Sequence, residues 1–265
     1  MSMTLFFKTL KRNYKLFIIF YAVLAMYLVM MASMFDPNDI DALMSMLELM
    51  PSELLNAMGF AGIVTNLVEY LASWLYGMLM VGFPLVYCII LGNRLVAKMV
   101  DDGSFSFLLS TPLSRTKIII TQGVYALVSV FALFTLVFAT GVGVCAMMLP
   151  GSLDVYAFFL LNLTTMLLNM AVIMITFFFS CLFSDAKYSV GLGSGVTIMF
   201  LLMNMLGGAS ADARILKDLS IYGLYDPLEL VRGQSMLWIN LFFIGMIVVL
   251  FAAGILIFRK KQLTI

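Results

Sequence analysis

The sequence predicts an all-α integral membrane protein with six transmembrane helices in a single domain over residues 1–265. Of these residues, 63% are hydrophobic and only 11% are charged, whereas about a quarter are charged in an ordinary soluble domain. A helix needs about 20 apolar residues to cross the hydrocarbon core of a bilayer. Six segments approach or exceed that length, at approximately 16–34, 70–92, 118–149, 155–183, 189–206 and 237–258.

The placement of basic residues predicts the orientation. Lysine and arginine are retained on the cytoplasmic side of membrane proteins. If the N-terminus is cytoplasmic, all of the 15 basic residues except Arg214, Lys217 and Arg232 fall on that side. We therefore expect a multi-pass protein of a bacterial plasma membrane with both termini in the cytoplasm.

The connection at 93–117 is cytoplasmic in this topology and contains a short apolar helix. Phe105, Leu108 and Leu109 lie on one face of it, negative charge at 101–102 suits its N-terminal dipole, and Pro112 ends it. An apolar helix exposed to the cytosol favours a protein partner. The alternative is a helix that packs against the inner face of the bundle.

A second pattern lies within the fifth span. Gly191 and Gly195 form a G-x-x-x-G face that allows close approach of another helix. The partner helix belongs either to the same chain or to a second copy.

Enzyme chemistry has little support in the sequence. Histidine is absent, and Cys88, Cys145 and Cys181 are far apart within apolar runs, so neither a metal site nor a disulfide framework is expected. The H-E-x-x-H, G-x-S-x-G and Walker A motifs are also missing. Without a basic stripe carrying interleaved aromatic residues, nucleic-acid binding is not expected.

The predicted spans are nearly free of charge. Ion-coupled transporters usually place acidic residues or histidines at the midplane, so a self-sufficient secondary transporter is disfavoured. We expect uncharged polar groups to line the interior and an apolar or amphipathic cargo. These groups are Thr121, Gln122, Ser129, Thr135, Asn162, Thr164, Thr165, Asn169, Thr176 and Asn204.

The segment 101–121, DDGSFSFLLSTPLSRTKIIIT, resembles a motif of ABC-2 type permeases, written roughly E-x-G-T-x-x-x-L-L-S-x-P-x-S-R. Asp101 or Asp102 stands where the family has glutamate, and Ser104 stands where it has threonine. The first outer loop and the C-terminal part of the chain also resemble the family. The motif's matching residues are Gly103, Leu108, Leu109, Ser110, Pro112, Ser114 and Arg115.

The resemblance implies an ABC-2 (type V exporter) fold with helical outer loops. It implies that an amphipathic elbow helix over 1–15, carrying Lys8, Lys11 and Arg12, lies on the inner membrane face. It also implies that 93–117 couples the chain to a separate ATPase, which binds ATP and Mg. The implied coupling residues are Asp101, Asp102, Gly103, Ser104, Phe105, Leu108, Leu109, Pro112 and Arg115.

The implied assembly contains two permease copies, identical or related, and two ATPases. Its implied activity is export of a drug, peptide or lipid. The alternative is a membrane immunity or sensor subunit that binds a peptide without transporting it. An intramembrane enzyme is disfavoured, because Asp226 lies in an outer loop and no span carries a second aspartate.

Overall fold

The structure is a computed structural model that describes residues 1–35, 49, 51, 54–55, 64–109, 113–209, 213–233 and 236–261. All regular secondary structure in these residues is helical. Six helical stretches are long and apolar enough to cross a membrane. This confirms the prediction of an all-α, multi-pass membrane protein. The expected helices of the first outer loop lie mostly outside the described residues.

The helices follow the predicted spans closely in the second half of the chain. The second span differs because it is composite, with a π-helical segment between two α-helices and a further short helix at its end. The elements are α1 (Met3–Met34), α2 (Leu67–Leu71), the π-helical segment (Ala72–Leu79), α3 (Met80–Leu95), α4 (Ala97–Asp101), α5 (Ser104–Leu109), α6 (Arg115–Met148), α7 (Val155–Leu182), α8 (Ala186–Ala209), α9 (Arg214–Leu219), α10 (Pro227–Val231) and α11 (Leu237–Lys260).

Helix α7 is the centre of the bundle and contacts α3, α6, α8 and α11. Its buried polar side chains hydrogen-bond to the neighbouring helices. Asn162 Nδ2 donates to the Phe134 carbonyl at 3.1 Å, and Thr176 Oγ1 donates to the Cys88 carbonyl at 3.1 Å. Gly92 of α3 lies against Thr176 so closely that a Cβ there would overlap the hydroxyl. Because lipid supplies little hydrophobic drive for helix association, such polar bonds and close contacts hold spans together.

The long helices alternate in direction, so both described ends of the chain lie at one end of the bundle. There, Ser2 N donates to Thr121 Oγ1 at 2.9 Å, and Lys261 Nζ donates to the Cys181 carbonyl at 3.1 Å. We call this the basic end, because all lysines and arginines except those on or beside α9 and α10 lie toward it. Its cytoplasmic placement remains a prediction from charge.

The expectation of a separate elbow helix is wrong. Residues Met3–Met34 form one uninterrupted helix, α1, which includes the predicted elbow and the first span. No glycine or proline lies in that range to break it. Its buried Thr9 donates to Gln122 Oε1 of α6 at 3.3 Å, so the N-terminal turns pack on the bundle. At about 1.5 Å per residue, its 32 residues extend roughly 48 Å, beyond a hydrocarbon core of about 30 Å.

Candidate functional site

The predicted coupling segment is a pair of short helices at the basic end, α4 and α5. Helix α3 ends at Leu95, and the backbone of the next residue, Val96, departs from helical geometry at φ −134° and ψ −67°. Ala97 N, the first amide of α4, donates to Ser180 Oγ of α7 at 2.8 Å. Gly103 links α4 to α5 at φ +71°, a conformation that glycine adopts without steric cost. The segment is therefore tied to the core at its start and turns sharply at its middle.

Asp102 caps the beginning of α5. Its Oδ1 accepts hydrogen bonds from Ser104 Oγ at 2.6 Å and from Ser104 N at 3.2 Å. These bonds lower the pKa of the Asp102 carboxyl, with help from the positive charges of Arg12 and Lys98. Asp101, by contrast, is exposed at the end of α4. The two neighbouring acids therefore have different roles, and Asp102 is the one that fixes the backbone.

Phe105 does not lie on an open cytosolic face, and that prediction is wrong. Its side chain is only 3% exposed, and its ring packs edge-on against Phe258 of α11 with centroids 5.3 Å apart. Leu108 is half-buried against the same core. Both residues fit the alternative given in the sequence analysis, in which this short helix packs against the inner face of the bundle. The side chain of Leu109 and the whole of Pro112 lie outside the described residues.

Arg115 connects the coupling segment to the end of the chain. It is the first residue of α6, where the Ser114 hydroxyl accepts from Lys117 N at 3.3 Å. Its Nη1 donates to the Lys261 carbonyl at 3.3 Å. Lys261 in turn lies 5.6 Å from the centre of the Phe258 ring, and burial lowers its pKa to about 8. Sequence reasoning noted the run FRKK after the last span but did not predict that Phe258 and Lys261 contact the coupling segment and Arg115.

The predicted elbow residues also meet the coupling segment. Arg12 Nη2 donates to the Arg94 carbonyl at 2.7 Å. Lys8 and Arg12 line a pocket that also includes Ser104 and Leu108. Lys11 is exposed on α1. Part of the predicted elbow segment thus lies beside the predicted coupling residues. This part belongs to α1, the first membrane-spanning helix.

Gly191 and Gly195 contact no other described helix of the chain. A Cβ built on either would have no heavy atom within 4 Å, whereas one on Gly193 would lie 3.5 Å from Phe179. Helix α8 therefore packs on α7 through Gly193 and leaves the G-x-x-x-G face open. The sequence left open whether this face packs on a helix of the same chain or on a second copy. The structure excludes the described helices of the same chain.

A cavity of about 400 Å³ lies between the second span and α8, toward the end opposite the basic end. Its walls are mainly apolar, and the segment after α9 closes one side. Within the described residues, the buried Asn204 Oδ1 and Tyr222 hydroxyl have no hydrogen-bond partner. The other lining residues include Met78, Phe83, Val86, Leu201, Met205, Lys217, Tyr225 and Asp226. Sequence reasoning did not find this cavity.

The wall of the cavity contains an irregular backbone stretch. Met80 N donates to the Leu75 carbonyl, five residues back, as in a π-helix. Four residues after Met80, Pro84 has no N–H to return to the Met80 carbonyl. Asn169 Nδ2 of α7 donates to that carbonyl at 3.4 Å instead. A neighbouring span thus supplies the hydrogen bond that the irregular backbone lacks.

Most of the predicted polar lining serves helix packing instead. Of those residues, only Asn204 lines this cavity, while Asn162 and Asn169 bind neighbouring backbone carbonyls and Thr135 is exposed. In a low-dielectric interior an unpaired polar group is costly, so these side chains pair with the nearest backbone. Most of these groups are buried in the bundle, as expected, and their lining of a cargo path stays a prediction.

The fold thus defines a multi-pass α-helical membrane protein with an apolar cavity and a pair of short helices at its basic end. Comparison of the chain with protein-family models, with curated proteins and with solved structures finds no match.

Proposed function

We propose that the chain is the permease subunit of an ATP-driven exporter whose ATPase is a separate polypeptide. The observation that carries this proposal is the resemblance of 101–121 to the ABC-2 motif, in a chain with six helices long and apolar enough to cross a membrane. The contact of α5 with α11, in which Phe105 packs on Phe258 at the basic end, is the route by which this segment would act on a span. In this proposal ATP and Mg are bound by the partner.

In the proposed mechanism, α4 and α5 bind the ATPase and also transmit its movement to the membrane-spanning helices. The exposed residues Lys98, Asp101 and Gly103 would contact the ATPase. Displacement of α5 would move α11 through the contact of the Phe105 ring with Phe258. Movement of the end of α11 would then reach α6 through the hydrogen bond from Arg115 to the Lys261 carbonyl. Because packed interiors resist compression, a push on α5 would shift these spans together.

The cargo in this proposal enters the cavity beside α8. A space of about 400 Å³ is at the lower end of the range for small-ligand sites, so it fits a small amphipathic molecule or one part of a larger one. The Asn204 and Tyr222 oxygens lack hydrogen-bond partners among the described residues but are fully buried, so they would bind polar groups of that molecule after adjacent side chains move. Burial raises the pKa of the Tyr222 phenol, which keeps it a neutral donor. A second copy, packed through Gly191 and Gly195, would form the other half of the path.

The direct test is purification of the tagged chain from its native membranes, followed by identification of bound proteins. We expect an ATPase whose hydrolysis rate changes when the two are reconstituted together in nanodiscs. Asp101→Lys should weaken that association, because Asp101 is exposed on the coupling segment. Asp185→Lys is the control for the charge change, at another exposed acid of the basic end. Because the Asp185 carboxylate also accepts from Lys187 N at the start of α8 at 2.7 Å, the thermal stability of both variants is measured first.

Three outcomes are decisive. Loss of association in Asp101→Lys alone supports the proposed coupling surface. Equal loss in both variants indicates general electrostatic attraction and rejects it. If no ATPase associates and the chain still binds a peptide, the non-transporting immunity or sensor subunit is the better account.

A further inference from the structure

A second pocket at the basic end is lined almost entirely by charged groups. It has a volume of about 220 Å³ and lies between α1 and the junction of α3 with α4. Arg12, Arg94 and Lys98 supply three cations, Asp102 supplies one carboxylate, and Asn13 is the remaining lining residue. Asn13 is only 1% exposed, so the pocket has a wall that belongs to the packed bundle.

The three cations outnumber the single Asp102 carboxylate in the lining, so the pocket carries a net positive charge. Among the described residues, no carboxylate oxygen lies within 4.0 Å of Arg12, Arg94 or Lys98. Asp102 directs Oδ1 to the hydroxyl and amide of Ser104. Arg12 is held in place, because its Nη2 donates to the Arg94 carbonyl at 2.7 Å. An excess of positive charge gathered in a cleft attracts anions.

The pocket beside Lys8 and Ser104 described above adjoins this one and shares Arg12 with it. It is about 390 Å³, and Leu5, Met99 and Leu108 form its apolar part, the recess. Its polar lining residues are Lys8, Thr9, Ser104 and Gln122. The outer surface of α1 beside it exposes apolar side chains, including Phe7 and Leu10. A ligand here can place a negative group among the cations and an apolar group in the recess. A phospholipid has this combination, and inorganic phosphate lacks the apolar part.

We propose that the pocket binds the phosphate of an anionic phospholipid headgroup, with part of the lipid's apolar portion in the adjoining recess. The two guanidinium groups can each make paired hydrogen bonds to phosphate oxygens, and Lys98 adds a point charge. Basic pockets between spans on the cytoplasmic side are suited to such headgroups. Bound lipid would join α1 to α4 at the coupling segment. Binding of lipid here does not depend on the transport role proposed above.

The experiment measures binding of dioctanoyl phosphatidylglycerol to the purified full-length chain in a neutral detergent, by native mass spectrometry. Dioctanoyl phosphatidylcholine and inorganic phosphate are the comparison probes. The pocket variant is Arg12→Gln with Lys98→Gln. The matched control is Lys11→Gln with Lys15→Gln, because both lysines are exposed on α1 and neither lines the pocket.

We expect the wild type and the control to bind phosphatidylglycerol alike, and the pocket variant to bind it about 25-fold more weakly. That factor corresponds to about 2 kcal/mol, or about 1 kcal/mol for each cation removed. Equal weakening in both variants would overturn the proposal, because it would show general attraction. Phosphate binding as strong as that of the lipid would show a free-anion site and also overturn it.

A third variant keeps the test decisive if the pocket variant does not fold. Asp102→Asn retains an oxygen to cap α5 at Ser104 but removes the carboxylate from the pocket. We expect phosphatidylglycerol to bind about fivefold more tightly, since one unfavourable charge near the phosphate is gone. Unchanged or weaker binding in this variant would reject the pocket as the lipid site.

Discussion

Truncation of Phe105 distinguishes a transmitting side chain from a docking side chain. The ring is 3% exposed and lies 5.3 Å from that of Phe258. For a ring buried in this way, Phe→Ala lowers the free energy of unfolding by about 3–5 kcal/mol in a packed core. Loss of the aromatic contact accounts for about 1 kcal/mol of that decrease. Because α5 has only six residues, much of that cost should appear as local detachment of α5 from α11 rather than as global unfolding.

The assay for Phe105→Ala has two readouts, measured with the ATPase identified by co-purification. We expect a Kd for the ATPase within about threefold of the wild type, because the ring is not on the open surface. We expect stimulation of ATP hydrolysis by cargo to be lost. Phe7→Ala is the matched control, since Phe7 is an aromatic residue toward the basic end that is 57% exposed, and it should change neither readout.

A double-mutant cycle measures the ring contact itself. Phe105→Ala and Phe258→Ala should show a coupling free energy of about 1 kcal/mol in thermal or denaturant unfolding. If Phe105→Ala weakens ATPase binding tenfold or more while protein stability and the coupling free energy stay at wild-type values, the ring contacts the partner directly. The role assigned to the α5–α11 contact would then be refuted.

Three further predictions concern packing, association and pH. Gly92→Ala should lower the free energy of unfolding by about 1–3 kcal/mol, because the new methyl group overlaps Thr176. Gly191→Leu with Gly195→Leu should weaken self-association by up to about 1 kcal/mol without destabilising the monomer, because that face is open. For Lys261, the pKa is lowered to about 8 from 10.5, so the unfolded state binds more protons between these pH values. The contribution of Lys261 to stability should therefore rise from pH 8 to 10.5, so the stability of the wild type relative to Lys261→Met should increase over that range.

Each of these three predictions has a control and a contrary result. Gly245→Ala lies on α11 with open space around it, and it should be neutral or slightly stabilising in the same unfolding measurement. Crosslinking in nanodiscs reports self-association, and an unchanged dimer would assign no intermolecular role to the α8 glycines. Lys260→Met, at the exposed neighbouring position, should retain the pH dependence. A stability difference between the wild type and Lys261→Met that does not change from pH 8 to 10.5 would contradict the burial of Lys261.

The lengths and order of the spans were predictable because they depend on a local property. The hydrocarbon core requires about 20 apolar residues in a helix, and the backbone must satisfy its own hydrogen bonds there. The predicted segments 118–149 and 155–183 accordingly match α6 (Arg115–Met148) and α7 (Val155–Leu182) closely. The gathering of basic residues at one end also followed from the sequence, since an even number of spans returns the chain to its starting side.

What the sequence could not decide is which surfaces meet. The apolar character of Phe105 fits a partner interface and an internal contact equally well, and only the position of Phe258 separates the two. The sequence likewise predicts that Asn169 lines the interior. In the structure it donates to the Met80 carbonyl, which has no helical partner because Pro84 lacks an N–H. The sequence by itself determined that the protein is a bundle of six apolar helices with one basic end. The tertiary structure decided its cavity and contacts, because these depend on side chains brought together from distant parts of the chain.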